Sequence, residues 1–228
     1  MTVNQGMKTK RSIIYGEWAL AAGILLNSLS VELIVKSGLG MSSISSVPYI
    51  LSLIMPQLTF GTWNYLIQCS TILLLIGATR TFKIGYLLSF VLAVFFGRFL
   101  DLFAACLHLV PDTPIIMTGC YLAGMGIMSF GIYLLQRCLL PILPFDVFVR
   151  DMSGHFHISF RTFKTGFDIS CLLITVLLSV LLLGHIAGVG VGTVIGALFT
   201  GTIVSRIAAY MDIRYEFAVK NERLRGLG

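Results

Sequence analysis

A few charged side chains stand inside long apolar runs of this sequence, where a charge is costly and therefore informative. Arg98 and Asp101 are three residues apart in one run, and Lys164 and Asp168 are four apart in another. Both spacings put the two side chains on one face of a helix, so each pair can form an ion pair. A charge within a hydrocarbon layer costs roughly 2.5–3.5 kcal/mol and usually faces a partner or water. Asp101 and Asp168 are therefore candidates for holding a cation or exchanging a proton, and local neutralisation near an interface is the alternative.

Uncharged residues form a second group of candidates. Asn27 lies near the middle of the first apolar run, where its amide needs a neighbouring helix or a substrate as partner. Gly190 and Gly192 belong to GVGVG at the start of the last run, which favours close helix packing or, at a helix N-terminus, contact with an anion. Ser42 and Ser43 lie in a glycine-marked connection and offer hydroxyl groups to a solute.

Further charges lie near the ends of the apolar runs and in the connections. Glu32 lies about one turn from the end of its run and precedes Lys36 by four residues, so these two could pair. The predicted substrate-binding residues are Asn27, Ser42, Ser43, Arg98, Asp101, Asp146, Arg150, Asp168, Gly190 and Gly192. The sequence has no nucleophile–His–acid arrangement, HExxH sequence, P-loop or dinucleotide fingerprint. We therefore expect neither enzymatic activity nor a cofactor or metal site.

The composition is that of an integral membrane protein. Of the 228 residues, 57% are hydrophobic and 11% are charged, whereas a soluble domain has about 25% charged residues. The formal charge of +6 comes from short basic clusters between apolar runs. Such clusters favour contact with anionic lipid over binding of nucleic acid.

Six apolar runs are long enough to cross a bilayer, which needs about 20 residues per helix. They are Ile13 to Val35, Thr62 to Thr79, Ile84 to Cys106, Ile115 to Gln136, Phe163 to Gly184 and Val189 to Met211. The connections on one side hold nearly all the Lys and Arg residues, whereas those on the other side hold only Lys36. The positive-inside rule then predicts that both termini are cytoplasmic.

Two connections are too apolar for solvated loops and too interrupted to cross the membrane. Ser37 to Gly61 joins the first two predicted spans, and Cys138 to Thr162 joins the fourth and fifth. Proline or glycine marks a break in each of them. We expect each connection to contain a short helix, which either re-enters the membrane or lies at its surface.

The second half of the chain resembles the first. Leu58 to Ser70 aligns with Ile158 to Ser170, and weaker matches precede and follow this segment in the same order. Three spans per copy would reverse the orientation of the second copy. The sequence therefore predicts an all-α fold with a 3+3 inverted repeat. Its parts are a cytoplasmic tail at 1–11, repeats at 12–110 and 111–211, and a second tail at 212–228.

Several short motifs resemble the YczE/YyaS/YitT family of bacterial multispan membrane proteins. They are the Gly-x-Gly-x-Ser-Ser break at Gly38 to Ser43, Pro-Phe-Asp at Pro144 to Asp146, and GRFLDLF, which carries Asp101. Ser42 and Ser43 stand where family members often have an acidic residue. The resemblance implies a plasma-membrane location and a largely undefined activity, with some relatives linked to support of secondary-metabolite production.

Two functions remain open on this evidence. The first is a small secondary-transporter-like protein that binds a small molecule or an ion between the repeats. The second is an accessory membrane protein that binds a cytoplasmic partner, such as a biosynthetic enzyme, through Tyr215 to Gly228. The sequence specifies no oligomeric state.

Overall fold

The protein is a helical bundle with six helices long and apolar enough to cross a membrane. The computed structural model describes residues 12–220. The long helices are α1 (Gly16–Ser37), α3 (Phe60–Thr79), α4 (Ile84–Leu107), α5 (Pro114–Arg137), α7 (Phe160–Leu178, continued by a π-helical segment at Ser179–Leu183) and α8 (Val191–Arg214). Two short helices lie between them, α2 (Ser43–Ile54) and α6 (Pro144–His155). The six predicted spans and the two predicted short helices are confirmed, with ends that differ by a few residues.

Local signals in the sequence explain where several helices begin and end. Thr59, Thr113 and Ser159 precede α3, α5 and α7, and each side chain accepts a hydrogen bond from a backbone N–H in the first turn. Pro114 stands in the first turn of α5, where its missing N–H costs nothing. Gly38 ends α1 in the left-handed conformation, with φ of 65°, which glycine adopts without strain.

Helices α1 and α5 pack closely along the centre of the bundle. A Cβ atom at Gly23 would collide with Leu135, and one at Gly131 would collide with Asn27. The absence of side chains at these glycines brings the two backbones together, as in other membrane helix pairs. Outside this pair, α4 packs on α1 and α8 packs on α5.

The short helices connect the two halves of the chain. Helix α2 packs against both α3 and α7, and α6 also packs against both α3 and α7. Four helices thus form a closed ring of contacts in the order α2, α3, α6, α7. Ser46 of α2 and Thr175 of α7 are fully buried and share a hydrogen bond of 2.8 Å. Both short helices are packed within the bundle and have buried faces.

The contact between α3 and α4 is closer than the contact between α7 and α8. Gly61 and Gly97 face each other, so that a Cβ atom on either would overlap the carbonyl oxygen of the other. Asp101 reinforces this contact by accepting hydrogen bonds from the Gly61 N–H (2.9 Å) and the Thr59 hydroxyl (2.8 Å). Helices α7 and α8 share no comparable interface.

Two short strands, which the sequence analysis did not predict, join the ends of the described chain. β1 (Ser12–Tyr15) and β2 (Tyr215–Ala218) pair in parallel, with Ser12 opposite Tyr215. We call this end of the bundle the sheet end and the opposite end, where α1 leads into α2, the far end. Residues 212–218 of the predicted C-terminal tail therefore belong to α8 and β2. The predicted tail at 1–11 and residues 221–228 lie outside the described residues.

Two glycines of α3 provide a matched test of the α3–α4 contact. Gly61→Ala places a methyl group against the backbone of α4, whereas no atom lies within 4 Å of a Cβ at Gly77. Overpacking costs about 1–3 kcal/mol, and alanine is favoured over glycine in a helix by about 1 kcal/mol. We expect Gly61→Ala to lower the unfolding temperature in detergent, and Gly77→Ala to leave it unchanged or raise it. Equal melting temperatures for the two variants would contradict this close contact.

Candidate functional site

Two buried amide side chains lie on the inner face of α3. Asn64 and Gln68 are each only 1% exposed, and the Gln68 amide donates a hydrogen bond of 2.5 Å to the Asn64 side-chain oxygen. The Gln68 Oε1 atom is buried and has no hydrogen-bond partner. An unpaired buried acceptor costs about 1–3 kcal/mol, so this oxygen is a place where a donor from a ligand would be stabilising.

A charged pair occupies the equivalent part of α7. Lys164 Nζ lies 3.5 Å from Asp168 Oδ2, which confirms the predicted pairing of these residues. The second carboxylate oxygen, Asp168 Oδ1, is buried and has no hydrogen-bond partner. Helices α3 and α7 therefore each carry a polar pair spaced i, i+4 that leaves one acceptor oxygen unpaired.

The sequence contained a signal for the amide pair that the analysis of charges missed. When Leu58 to Ser70 is aligned with Ile158 to Ser170, Asn64 stands opposite Lys164 and Gln68 stands opposite Asp168. Amides are less conspicuous than charges in an apolar run, but they also need partners there. Corresponding polar positions in the two copies were therefore the informative feature.

Helix α6 adds Asp146 and Arg150 to the charged groups of α7. Asp146 is half-buried and interacts electrostatically with Lys164, Asp168 and Arg150. Burial raises the pKa of Asp146, and the positive charge of Lys164 opposes this rise. Both α6 and α7 thus contribute acidic and basic groups to one cluster. The sequence analysis named these residues separately and did not predict that they lie together.

Aromatic contacts fix the position of α6 along α7. The Phe145 and Phe167 rings lie 6.0 Å apart, and Phe148 lies 6.2 Å from Phe163. Phe167 lies farther from the sheet end than Phe163 does. The first turn of α6, which carries Phe145, therefore lies deeper in the bundle than the last turn of α6. Ser89 of α4 supports the same placement, because its hydroxyl donates to the Ile142 carbonyl at 2.7 Å.

At the sheet end, hydrogen bonds of Asp151 link α6 to the beginning of α4. Its carboxylate accepts hydrogen bonds from Lys83 Nζ (2.8 Å), the Tyr86 hydroxyl (2.6 Å) and Arg150 Nε (2.9 Å). Burial raises the pKa of Asp151, but the three hydrogen bonds together outweigh it and lower the pKa below its ordinary value. These side chains border a cleft that also includes Thr79, Thr81, Gly154 and His155.

At the far end, the backbone around the predicted binding residues Gly190 and Gly192 packs against another segment of the chain and bonds to it. The Gly192 N–H donates to the Leu39 carbonyl at 2.7 Å, and the Met41 N–H donates to the Gly188 carbonyl at 3.0 Å. Gly190 lies so close to Gly40 that a Cβ on either would collide with the other segment. The Gly192 N–H is thus used within the protein, and both glycines serve close packing of two loops.

Two other predicted polar residues, Ser42 and Asn27, have hydrogen-bond partners within the protein. The Ser42 hydroxyl donates to Ser45 Oγ at 3.1 Å, and Ser43 stands half-buried at the start of α2. Asn27 is buried between α1 and α5, and its amide donates to the Gly23 carbonyl at 2.8 Å. The Asn27 side chain thus packs against Gly131 of α5, but its amide bonds within α1 and not to the neighbouring helix or substrate that the sequence analysis considered.

Two ion pairs that the sequence spacing allowed do not form between the described residues. Arg98 is exposed on the surface of α4 and does not pair with Asp101, whose oxygens accept from Thr59 and Gly61. Lys36 pairs with Asp112 at 2.6 Å and not with Glu32. Sequence spacing allowed both pairs, but Lys36 pairs with the connection between α4 and α5, and Asp101 bonds to the beginning of α3.

The fold and these sites define a multi-pass membrane protein whose interior carries buried polar groups and which is in contact with the lipid bilayer. The chain belongs to a family of unknown function (DUF6198), whose profile matches residues 14–209. No curated protein and no solved structure matches the chain. The resemblance to the YczE/YyaS/YitT family stays a prediction, because the matching profile bears a different family name.

Asp151 gives a testable dependence of stability on pH. Its lowered pKa means that the ionised carboxylate stabilises the folded protein above its ordinary pKa of about 3.9, and that this stabilisation is lost as pH falls below it. We expect Asp151→Asn to lower the unfolding temperature in detergent at pH 7, and the gap to wild type to narrow towards pH 3.

Asp112→Asn is the control for a simple ion pair. The Asp112 side chain is 71% exposed, so solvent screens its ion pair with Lys36, and ion pairs screened in this way contribute about 0–1 kcal/mol. A gap between wild type and Asp151→Asn that stayed constant from pH 7 to pH 3 would contradict the role assigned to the Asp151 carboxylate.

Proposed function

We propose that this protein is a small secondary-transporter-like protein that binds a solute between two inverted three-helix halves and has no catalytic activity. The observation that carries the proposal is the pair of buried acceptor oxygens, Gln68 Oε1 on α3 and Asp168 Oδ1 on α7, without hydrogen-bond partners. Both helices pack against the same two short helices, α2 and α6. Binding sites between repeats, near broken helices, are characteristic of secondary transporters.

The packing pattern supports the inverted repeat in this proposal. The contact of α2 with α7 has a counterpart in that of α6 with α3, and the contact of α1 with α4 has one in that of α5 with α8. Under the positive-inside rule, the sheet end is cytoplasmic. The resemblance to the YczE/YyaS/YitT family supports the bacterial plasma membrane as the location. In this orientation, α6 re-enters from the cytoplasmic side and α2 from the outer side.

The unpaired atoms indicate the chemistry of the solute. Both are oxygens that accept hydrogen bonds, so the solute must carry donors such as hydroxyl or ammonium groups. The carboxylate of Asp168 favours a positively charged donor, and its present partner Lys164 is only 3.5 Å away. A small amine or amino alcohol satisfies these requirements, and its ammonium group would compete with Lys164 for Asp168.

Binding is tested with the purified protein and a panel of amines, amino alcohols, polyols and amino acids. A ligand at one hundred times its Kd stabilises the folded state by about 2.7 kcal/mol, which raises the unfolding temperature. We expect stabilisation by at least one donor-bearing solute, and weakening of its affinity by roughly tenfold or more in Asp168→Asn and in Gln68→Leu. Uptake into proteoliposomes should fall in the same variants.

Ser170→Ala is the matched control on α7, because Ser170 is exposed and its hydroxyl bonds only within its own helix, to the Gly166 carbonyl. This variant should bind and transport as wild type does. Identical uptake of the whole panel by wild type and by Asp168→Asn would contradict the assigned role of Asp168.

The accessory role stays an alternative, and the structure defines which part of the C-terminal segment can be removed to test it. Tyr215–Ala218 forms β2, and the Lys220 N–H donates to the Glu17 carboxylate, so deleting the whole segment from Tyr215 would disturb the fold. Removal of residues 221–228 alone leaves these contacts in place. Loss of a bound cytoplasmic protein with unchanged solute uptake would favour the accessory role.

A further inference from the structure

A buried carboxylate at the far end lies outside the solute site proposed above. Glu32 is on α1, about 7 Å along the helix from its end, and only 4% of the residue is exposed. Its Oε1 atom is buried and has no hydrogen-bond partner. A buried ionised carboxylate without a partner is strongly unfavourable in an apolar environment.

The neighbouring charges do not neutralise Glu32. Lys36, one turn further along α1, is bound to Asp112 at 2.6 Å. Asp101 of α4 is close enough to act electrostatically on Glu32, and its charge has the same sign. Asp101 itself is satisfied as a carboxylate, because its oxygens accept from Thr59 and the Gly61 N–H. The two acidic residues therefore have different environments: Asp101 is hydrogen-bonded, whereas Glu32 has a free oxygen.

The other helices around this part of α1 bring no cation either. Tyr49 of α2 interacts electrostatically with Glu32 and is itself uncharged. Helix α5 presents Gly124 to this part of α1, and its Tyr121 hydroxyl, one turn earlier, is donated to the Gly192 carbonyl. Arg98 of α4 is exposed.

We propose that Glu32 is a proton-binding site, which is protonated in this conformation and releases its proton when the helices around it separate. A proton needs one oxygen, and Glu32 Oε1 is available for it. A bound alkali or alkaline-earth ion would need several oxygen ligands, and the carboxylate oxygens of the neighbouring Asp101 already accept hydrogen bonds from Thr59 and Gly61. Coupling of this proton to solute movement rests on the proposed transport function, whereas proton binding does not.

Labelling with dicyclohexylcarbodiimide tests the site without any solute. This apolar reagent adds to a protonated carboxyl group and leaves a stable N-acylurea, which mass spectrometry locates. We expect an adduct on Glu32 in the full-length protein, and a labelling rate that falls by up to about tenfold per unit as pH rises above the range in which Glu32 titrates. Glu32→Gln should lose this adduct.

Two further variants separate proton binding from a structural role. Asp101→Asn removes the nearby negative charge, so the decline in labelling should move to lower pH. Lys36→Gln should leave the profile in place, because Lys36 is engaged with Asp112. Infrared difference spectra between low and high pH provide a second readout, in which wild type should show a protonated carboxyl band that Glu32→Gln lacks.

Absence of both the adduct and the infrared band would overturn the proposal, as would labelling that does not change with pH. A proton site that titrates as expected, in a protein that takes up no solute from the panel, would support Glu32 and contradict the proposed transport function. If uptake is found, loss of its dependence on the pH gradient in Glu32→Gln would support the coupling. An unchanged dependence would overturn it.

Discussion

Polar groups within this bundle must find partners inside the protein, because lipid offers none. The structure meets this requirement in several ways. Asp101 accepts a hydrogen bond from the Gly61 N–H at the beginning of α3. The Asn27 amide donates to a carbonyl of its own helix, and the Leu39 carbonyl accepts from the N–H of Gly192. Among residues 12–220, the buried side-chain atoms left unpaired are Glu32 Oε1, Gln68 Oε1 and Asp168 Oδ1. Because pairing is the general rule, these three oxygens are the observations on which the proposed solute and proton sites rest.

Glycine makes this arrangement possible by letting backbones approach. The backbones of α1 and α5 approach closely, as do those of α3 and α4, where Gly61 and Gly97 meet directly. The short helices and α7 lie elsewhere and are held by aromatic rings and by hydrogen bonds such as that of Ser46 with Thr175. The polar groups of α6 and α7 thus occupy a region held by side chains, whereas backbone-to-backbone packing holds the regions around α1, α4 and α5.

Much of this fold could be predicted from the sequence, because the length of apolar runs and the placement of proline and glycine are local signals. All six long helices and both short ones were found in this way. Partner choice could not be predicted, since spacing along one helix says nothing about the neighbouring helix. For example, Lys36 pairs with Asp112 and not with Glu32, and Asp101 bonds to α3 and not to Arg98. The amides of Asn64 and Gln68 were missed because an amide is less conspicuous than a charge in an apolar run. Their alignment with Lys164 and Asp168 is nevertheless present in the sequence. The strands β1 and β2 were missed because their pairing joins segments from opposite ends of the chain.

The pairing of β1 with β2 has a mechanical consequence. It links the first long helix to the last, and these belong to different halves of the chain. Their sheet ends are therefore held together by backbone hydrogen bonds and by the contact of Lys220 with Glu17. At the far end, α7 and α8 have no comparable interface. The segment that leads into α8 is instead bonded to the connection after α1, because the Gly192 N–H donates to the Leu39 carbonyl and the Met41 N–H donates to the Gly188 carbonyl. The first and last long helices are thus linked at both of their ends, and any motion that separates them has to break backbone hydrogen bonds at one of these ends.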